Sequence, residues 1–181
     1  MRLLLIRHLP VPEGAGRCYG RLDLAARPAE PVEIAALHRD IAWLHRPALL
    51  SSPARRCRDL ARRLGPAPRL EPRLRELDFG DWEGMPWDAV PRAALDAWAT
   101  DPAGFIPPGG EGMADFLARL GALAEALRHA ARDAVLVTHG GPMRVLPALL
   151  RGEAPDLLAP APGFGGVVRV ELPPGSGSSP R

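Results

Sequence analysis

Arg7 and His8 close the apolar run LLLIRH, and Thr138, His139 and Gly140 close a second run, AVLVTHG. Between them stand the arginines of SSPARRC, with Arg56 projecting from the first turn of a helix after Ser52, and the carboxylates of LRELDFGDWEG. Two histidines, two arginines and a carboxylate are the groups phosphoryl transfer requires: an in-line nucleophile, cations for the equatorial oxygens and a proton for the leaving group. Guanidinium forks match phosphate oxygens in pairs, and the unpaired N–H groups of a helix N-terminus add partial positive charge. A neutral imidazole nitrogen can attack phosphorus when a backbone carbonyl keeps the other ring nitrogen protonated and nearby arginines disfavour the imidazolium form. His8 fits that role. Metal chemistry fits less well, because the chain has no HExxH helix, no paired-cysteine motif and no cluster of aspartates, so no metal is expected.

These residues must be brought together by the elements that carry them. RLLLI reads as a short buried strand, and the apolar spacing of Ile34, Leu37, Ile41 and Leu44 predicts a helix over VEIAALHRDIAWLHR, bracketed by Pro31 and Pro47. ALLSS is a second strand. A helix follows Ser52 with Pro53 at its first position, its inner face made of Cys57, Leu60, Ala61 and Leu64. Residues 66–112, rich in Pro, Gly and Trp, break the rhythm as a cap or insertion with a weaker helix from Val90 to Trp98. Strong helical period returns from Met113 to Leu127, followed by the strand AVLVTHG, the helix GPMRVLPALL and a last strand VVRVEL. Alternating strands and helices predict an α/β fold, a three-layer α/β/α domain with a mostly parallel sheet over residues 1–172, and PPGSGSSPR a disordered tail at 173–181. Ligands of such sheets bind beyond the carboxyl ends of the strands, where Arg7, His8, Ser52 and His139 all fall.

Composition narrows the class. The chain of 181 residues is long enough for one domain, with 46% hydrophobic and 24% charged residues, near globular averages. All 23 basic residues are arginine, and lysine, asparagine and glutamine are absent, a bias that GC-rich coding or heat adaptation would each produce. A net charge of +2 with dispersed arginines argues against a nucleic-acid partner. No stretch approaches about 18 apolar residues, so no membrane span is expected. Cys18 and Cys57 read as free thiols, near enough to the same rim to approach each other, and with no signal peptide they fit a cytoplasmic location.

LLIRHLP, SSPARRC, LRELDFGDWEG and LVTHGGPMRVL resemble, in order, the four signatures of the histidine phosphatase superfamily, over residues 2 to 150. The resemblance implies a phosphoglycerate mutase-like fold and a phosphatase needing no cofactor, acting on a small-molecule phosphomonoester, with a homodimer as a possible assembly. It implies that His8 becomes a phosphohistidine, that Glu76 protonates the leaving oxygen, and that Arg7, Arg56, His139 and the Gly140 N–H hold the phosphoryl oxygens. GRCYGRLDL and PPGGEGMADFLARL are similar to the alpha-ribazole phosphatases, which remove a phosphate late in cobalamin assembly. The chain lacks the long insertions of a phosphoglycerate mutase, which favours hydrolysis.

Two positions depart from the family. Leu9 stands where most members carry glycine, and because Pro10 biases it toward an extended conformation, its side chain is expected to point away and leave its N–H toward the anion. The asparagine that many members use as a further phosphate ligand is absent, leaving Arg17, Tyr19 and Arg21 as candidates in the same loop, with Tyr19 and Arg21 assigned to substrate. Glu83 is the nearest competitor of Glu76, and Asp78 and Asp81 read as turn residues. His38, His45 and His129 read as structural or solvent-facing helix residues, and Trp82, Trp87 and Trp98 as packing elements, on one of which a base-containing substrate could stack. The alternatives are a broad-specificity histidine phosphatase, a mutase-like enzyme, or a non-catalytic module that binds a phospho-ligand. A pure binder has no use for a carboxylate beside a dianion, so Glu76 argues against the last.

Overall fold

In the computed structural model, which describes residues 1–173, five strands form one sheet. They are β1 (Arg2–Arg7), β2 (Ala48–Ser51), β3 (Arg69–Leu70), β4 (Ala134–Thr138) and β5 (Val167–Glu171), in the order β3-β2-β4-β1-β5. β1 to β4 run parallel, and β5 pairs antiparallel with β1, from Arg2 opposite Glu171 to Ile6 opposite Val167.

Side chains alternate across the sheet, so each strand serves two cores. Leu3, Leu5 and Leu136 pack on one face against Leu123, Leu127 and Leu146, from α4 (Met113–Ala130) and α5 (Gly140–Arg151). Leu4, Ile6, Val135 and Val137 pack on the other against Leu37 and Leu60, from α1 (Pro31–Ile41) and α2 (Arg55–Leu64). A strand covered on both faces must be apolar at every position, which LLLI and AVLV satisfy. The result is the three-layer α/β/α fold with a mostly parallel sheet. Residues of the 66–112 segment gather their own cluster, in which Trp82, Val90 and Cys18 pack with Phe79, Phe105 and Trp98 of α3 (Arg92–Thr100).

Several boundaries differ from the sequence reading, each for a tertiary reason. The first helix ends at Ile41 instead of reaching Arg46, because the Asp133 carboxylate accepts the N–H of His45 at 2.8 Å and of Arg2 at 2.7 Å, drawing the chain out of helical register. His45 therefore lies outside the helix. The second helix starts at Arg55, not at Pro53. Asp23, from a distant loop, accepts the Arg55 N–H at 2.6 Å, while the Ser52 hydroxyl lies 2.8 Å from His139 Nε2 and takes only a long bond, 3.4 Å, from the Ala54 N–H. α3 lies two residues later than expected, and β3 was not anticipated: two exposed residues carry no readable pattern. The expected tail, apart from residue 173, falls outside the described residues.

Cys18 and Cys57 are buried free thiols in separate clusters, Cys18 beside Trp82 and Cys57 beside Leu60 and Val137. Met1 and Leu172 exchange reciprocal hydrogen bonds, each backbone nitrogen 2.9 Å from the other residue's carbonyl oxygen. No helix among the described residues is long and apolar enough to cross a membrane.

Candidate active site

The parallel pairing of β1 with β4 sets Arg7 opposite Thr138, so the residues that follow, His8 and His139, emerge side by side with ring centroids 5.2 Å apart. Pairing of β2 with β4 brings Ser52 to the same rim. The rim opens into a cleft of about 470 Å³ whose lining includes Arg7, His8, Tyr19, Arg56, Glu76, Trp87 and Phe164.

The Nδ1 of His8 lies 2.7 Å from the carbonyl oxygen of Leu9. A carbonyl only accepts, so Nδ1 carries the proton and Nε2 keeps its lone pair. Burial is the main force lowering the pKa of His8 to about 3, against the opposing Leu9 hydrogen bond, and the charges of Arg56 and Arg7 lower it further. A ring that is 2% exposed thus stays neutral across the physiological range.

Arg56 is fully buried and held by one hydrogen bond from each nitrogen, Nη2 to Gly20 O at 2.6 Å, Nη1 to Leu22 O at 2.9 Å and Nε to His139 Nδ1 at 3.2 Å, which leaves a second N–H on each Nη. Because Nε can only donate, His139 accepts at Nδ1, and its Nε2 proton goes to the Ser52 hydroxyl at 2.8 Å. Burial first, then the Arg56 charge, holds the His139 pKa well below the usual histidine range. Both of its ring nitrogens are therefore engaged, and His139 bears on the cleft through Arg56.

Arg7 donates from Nη1 to Pro162 O at 2.6 Å and lies 4.3 Å over the ring of Phe164, while its buried Nε has no hydrogen-bond partner among the described residues. A guanidinium donor left without a protein partner, on a residue that lines the cleft, suits an anionic oxygen. Glu76 accepts the Gly141 N–H at 3.1 and 3.2 Å and the Leu77 N–H at 3.1 Å, which fixes its carboxylate at the start of α5. Gly141 makes this approach possible, since a Cβ there would sit 2.2 Å from Glu76 Oε1. A Cβ on Gly140 would lie 3.3 Å from the Arg7 guanidinium, so that position too is close to the site.

The remaining candidates divide. Tyr19 lines the cleft beneath Arg56, whose guanidinium carbon is 5.2 Å from the ring centroid. Arg21 turns away to Glu111 at 3.5 Å and Asp78 at 3.9 Å, bordering a smaller pocket with Glu76 and His139. Arg17 lines the cleft and donates to Gly84 O at 2.8 Å. Leu9 is 3% exposed, its side chain in the core with Leu4 and Leu37, so the bulk that replaces glycine is kept out of the cleft. Pattern reading missed Ser52 as the partner of His139, Glu83 as the anchor of the 20–22 loop, and Phe164, whose Pro- and Gly-rich segment gives no periodic signal. Phe164 lies against His8 with ring centroids 5.4 Å apart.

Comparison with known proteins defines the class. The histidine phosphatase superfamily (branch 1) matches residues 3–174. The glucosyl-3-phosphoglycerate phosphatase of Mycolicibacterium vanbaalenii is 32% identical over 188 residues, 94% of this chain and 83% of that protein. Among solved structures, TTHB049 from Thermus thermophilus aligns with a TM-score of 0.71 at 36% identity, covering 96% of this chain and 94% of that one. A mycobacterial glucosyl-3-phosphoglycerate phosphatase solved with VO3 aligns with a TM-score of 0.75 at 31% identity, covering 93% and 91%. The chain belongs to the histidine phosphatase superfamily. Its activity class is that of a metal-independent phosphoric monoester hydrolase.

Proposed function

We propose that the chain hydrolyses a phosphomonoester through a phosphohistidine on His8, in the cytoplasm, with alpha-ribazole 5'-phosphate as its substrate. The observation that carries the mechanism is the 2.7 Å contact from His8 Nδ1 to Leu9 O, which leaves Nε2 as the nucleophile. Nε2 forms a bond to phosphorus as the ester P–O bond breaks, and Glu76 gives a proton to the departing oxygen. Water then attacks the phosphorus of the phosphohistidine and hands a proton to Glu76, and the N–P bond breaks to release phosphate and restore His8. Arg56 and Arg7 stabilise charge on the equatorial oxygens, the Gly140 N–H adds a donor on that side, and His139 holds Arg56 in place through its Nε.

The cleft walls favour a planar leaving group. Tyr19, Trp87 and Phe164 border it together with Val11, Pro10 and Pro12, an apolar and aromatic lining that suits a base-bearing ribotide. A second reading rests on the mycobacterial relatives named glucosyl-3-phosphoglycerate phosphatases, because Arg17 on the cleft wall would face the carboxylate of such a substrate. Hydrolysis of alpha-ribazole 5'-phosphate, glucosyl-3-phosphoglycerate, 3-phosphoglycerate and an aryl phosphate, each with chelator and with His8→Ala as control, separates the possibilities. Fast, chelator-resistant, His8-dependent turnover of the first supports the cobalamin reading, and preference for the second overturns it. Cleavage of the aryl phosphate alone leaves a broad-specificity phosphatase. No His8-dependent release from any of them removes the catalytic reading.

A further inference from the structure

Glu83 takes no part in the reaction above, yet its carboxylate gathers four backbone N–H groups from two separate turns. It accepts from Gly20 at 3.0 Å to both oxygens, Arg21 at 2.8 Å, Leu22 at 2.9 Å and Phe79 at 3.1 Å. The chain is shaped to allow this. A Cβ on Gly20 would lie 1.8 Å from the Leu77 carbonyl oxygen, so only glycine lets the 20–22 loop lie against the turn that carries Glu83. The neighbouring backbone ties hold the two segments together, with Cys18 N–H on Met85 O at 2.9 Å and Gly84 N–H on Cys18 O at 2.8 Å.

The peptide unit joining Gly20 to Arg21 has two charged partners. Its N–H points at Glu83, 2.8 Å away, and its C=O accepts from Arg56 Nη2 at 2.6 Å. We propose that Glu83 is a positioning residue and the indirect counter-ion of Arg56, acting on the phosphate-holding guanidinium through the aligned Gly20–Arg21 peptide dipole. This rests on the assignment of Arg56 to the phosphoryl oxygens. A buried cation needs compensation, but a carboxylate paired directly with Arg56 would compete with a phosphate dianion for the same fork. One interposed peptide orients and stabilises the guanidinium while keeping the negative charge a peptide's length from the ligand. The Leu22 carbonyl, which holds Nη1, belongs to the same anchored loop, so one carboxylate governs both outer nitrogens of the fork.

The test uses inorganic phosphate and orthovanadate as probes, binding measured by calorimetry and inhibition kinetics, with Glu83→Gln and Glu83→Ala alone and combined with Arg56→Met. Glu83→Gln keeps one acceptor oxygen but loses the charge, so the vanadate inhibition constant should rise at least tenfold while the melting temperature stays within a few degrees. Glu83→Ala should rise further. In the Arg56→Met background, Glu83→Gln should add less than a twofold change, because its route to the ligand has been removed. The same fold-change with and without Arg56 would overturn the proposal, as would unchanged anion affinity in a folded Glu83→Gln. In variants too unstable to assay by binding, the side-chain Nε–H of Arg56 gives a direct reading by NMR: its exchange should quicken in Glu83→Gln, and unaltered exchange and shift would count against the relay. Phosphate binding does not need turnover, so absence of His8-dependent hydrolysis would defeat the phosphatase reading while the relay still stands or falls on anion affinity.

Discussion

Withholding the proton from His8 leaves its imidazole neutral, as the proposed nucleophile must be, and also makes the fold acid-sensitive. An unfolded histidine gains a proton near pH 6.5, whereas folded His8 does so only near 3. Between those values the unfolded chain binds more protons, so stability present above pH 6.5 is lost as pH falls, by up to about 1.4 kcal/mol per pH unit for one histidine. Melting temperatures between pH 7 and 4 should fall less steeply in His8→Ala than in the wild-type chain, and equal slopes would contradict a neutral buried ring. His8→Ala should also abolish turnover and phosphoenzyme formation. Glu76→Ala should slow alkyl phosphates by about 10²-fold or more and activated aryl phosphates much less, because only poor leaving groups need the proton. Equal losses would remove the general-acid assignment. Arg7, His8 and His139 could be read as signature residues at the ends of strands, and Glu76 through the resemblance of LRELDFGDWEG, since it lies in an irregular stretch with no pattern of its own. The engagement of His139 by Ser52 and Arg56, and of Arg21 by Glu111, was not, since those partners are set by contacts far apart in sequence.

Element boundaries follow the same division between local pattern and distant partner. Helix interiors and the alternation within β1 and β4 could be read directly, because burial on both faces leaves a plain apolar record. The ends of α1 and α2 could not, since the groups that set them, Asp133 and Asp23, belong to other segments. Asp133→Ala removes the acceptor shared by Arg2 and His45 and should cost about 1–3 kcal/mol, read as a lowered melting temperature with little change in kcat. Asp23→Ala strips the N-terminal acceptor from α2, the helix that carries Arg56. It should cost about 1 kcal/mol and raise KM more than Asp133→Ala does. Equal KM values for the two variants would show that the start of α2 has no bearing on anion binding.

At the scale of the whole molecule, the cleft draws Arg7 and His8 from the end of β1, Arg56 from α2, Glu76 and Trp87 from the 66–112 segment and Phe164 from the loop before β5. Trp87 borders both the main cleft and a second pocket of about 290 Å³ with Phe79, Trp98 and Met113. Trp87→Ala should lower kcat/KM for a base-bearing phosphomonoester by about tenfold, in line with ~1–3 kcal/mol for stacking on one base, and leave small alkyl phosphates nearly unchanged. The fold class was legible from the succession of strands and helices. The wall of the cleft was not, because Phe164 and Trp87 sit in segments whose form depends on what they pack against. The reciprocal bonds between Met1 and Leu172 have a topological consequence: the described fold is nearly a closed ring, and where the chain is cut is a matter of connectivity more than of structure. A circular permutant joined there by a short linker and opened between the exposed residues Pro66 and Ala67 would keep every strand-end residue of the rim on an unbroken element.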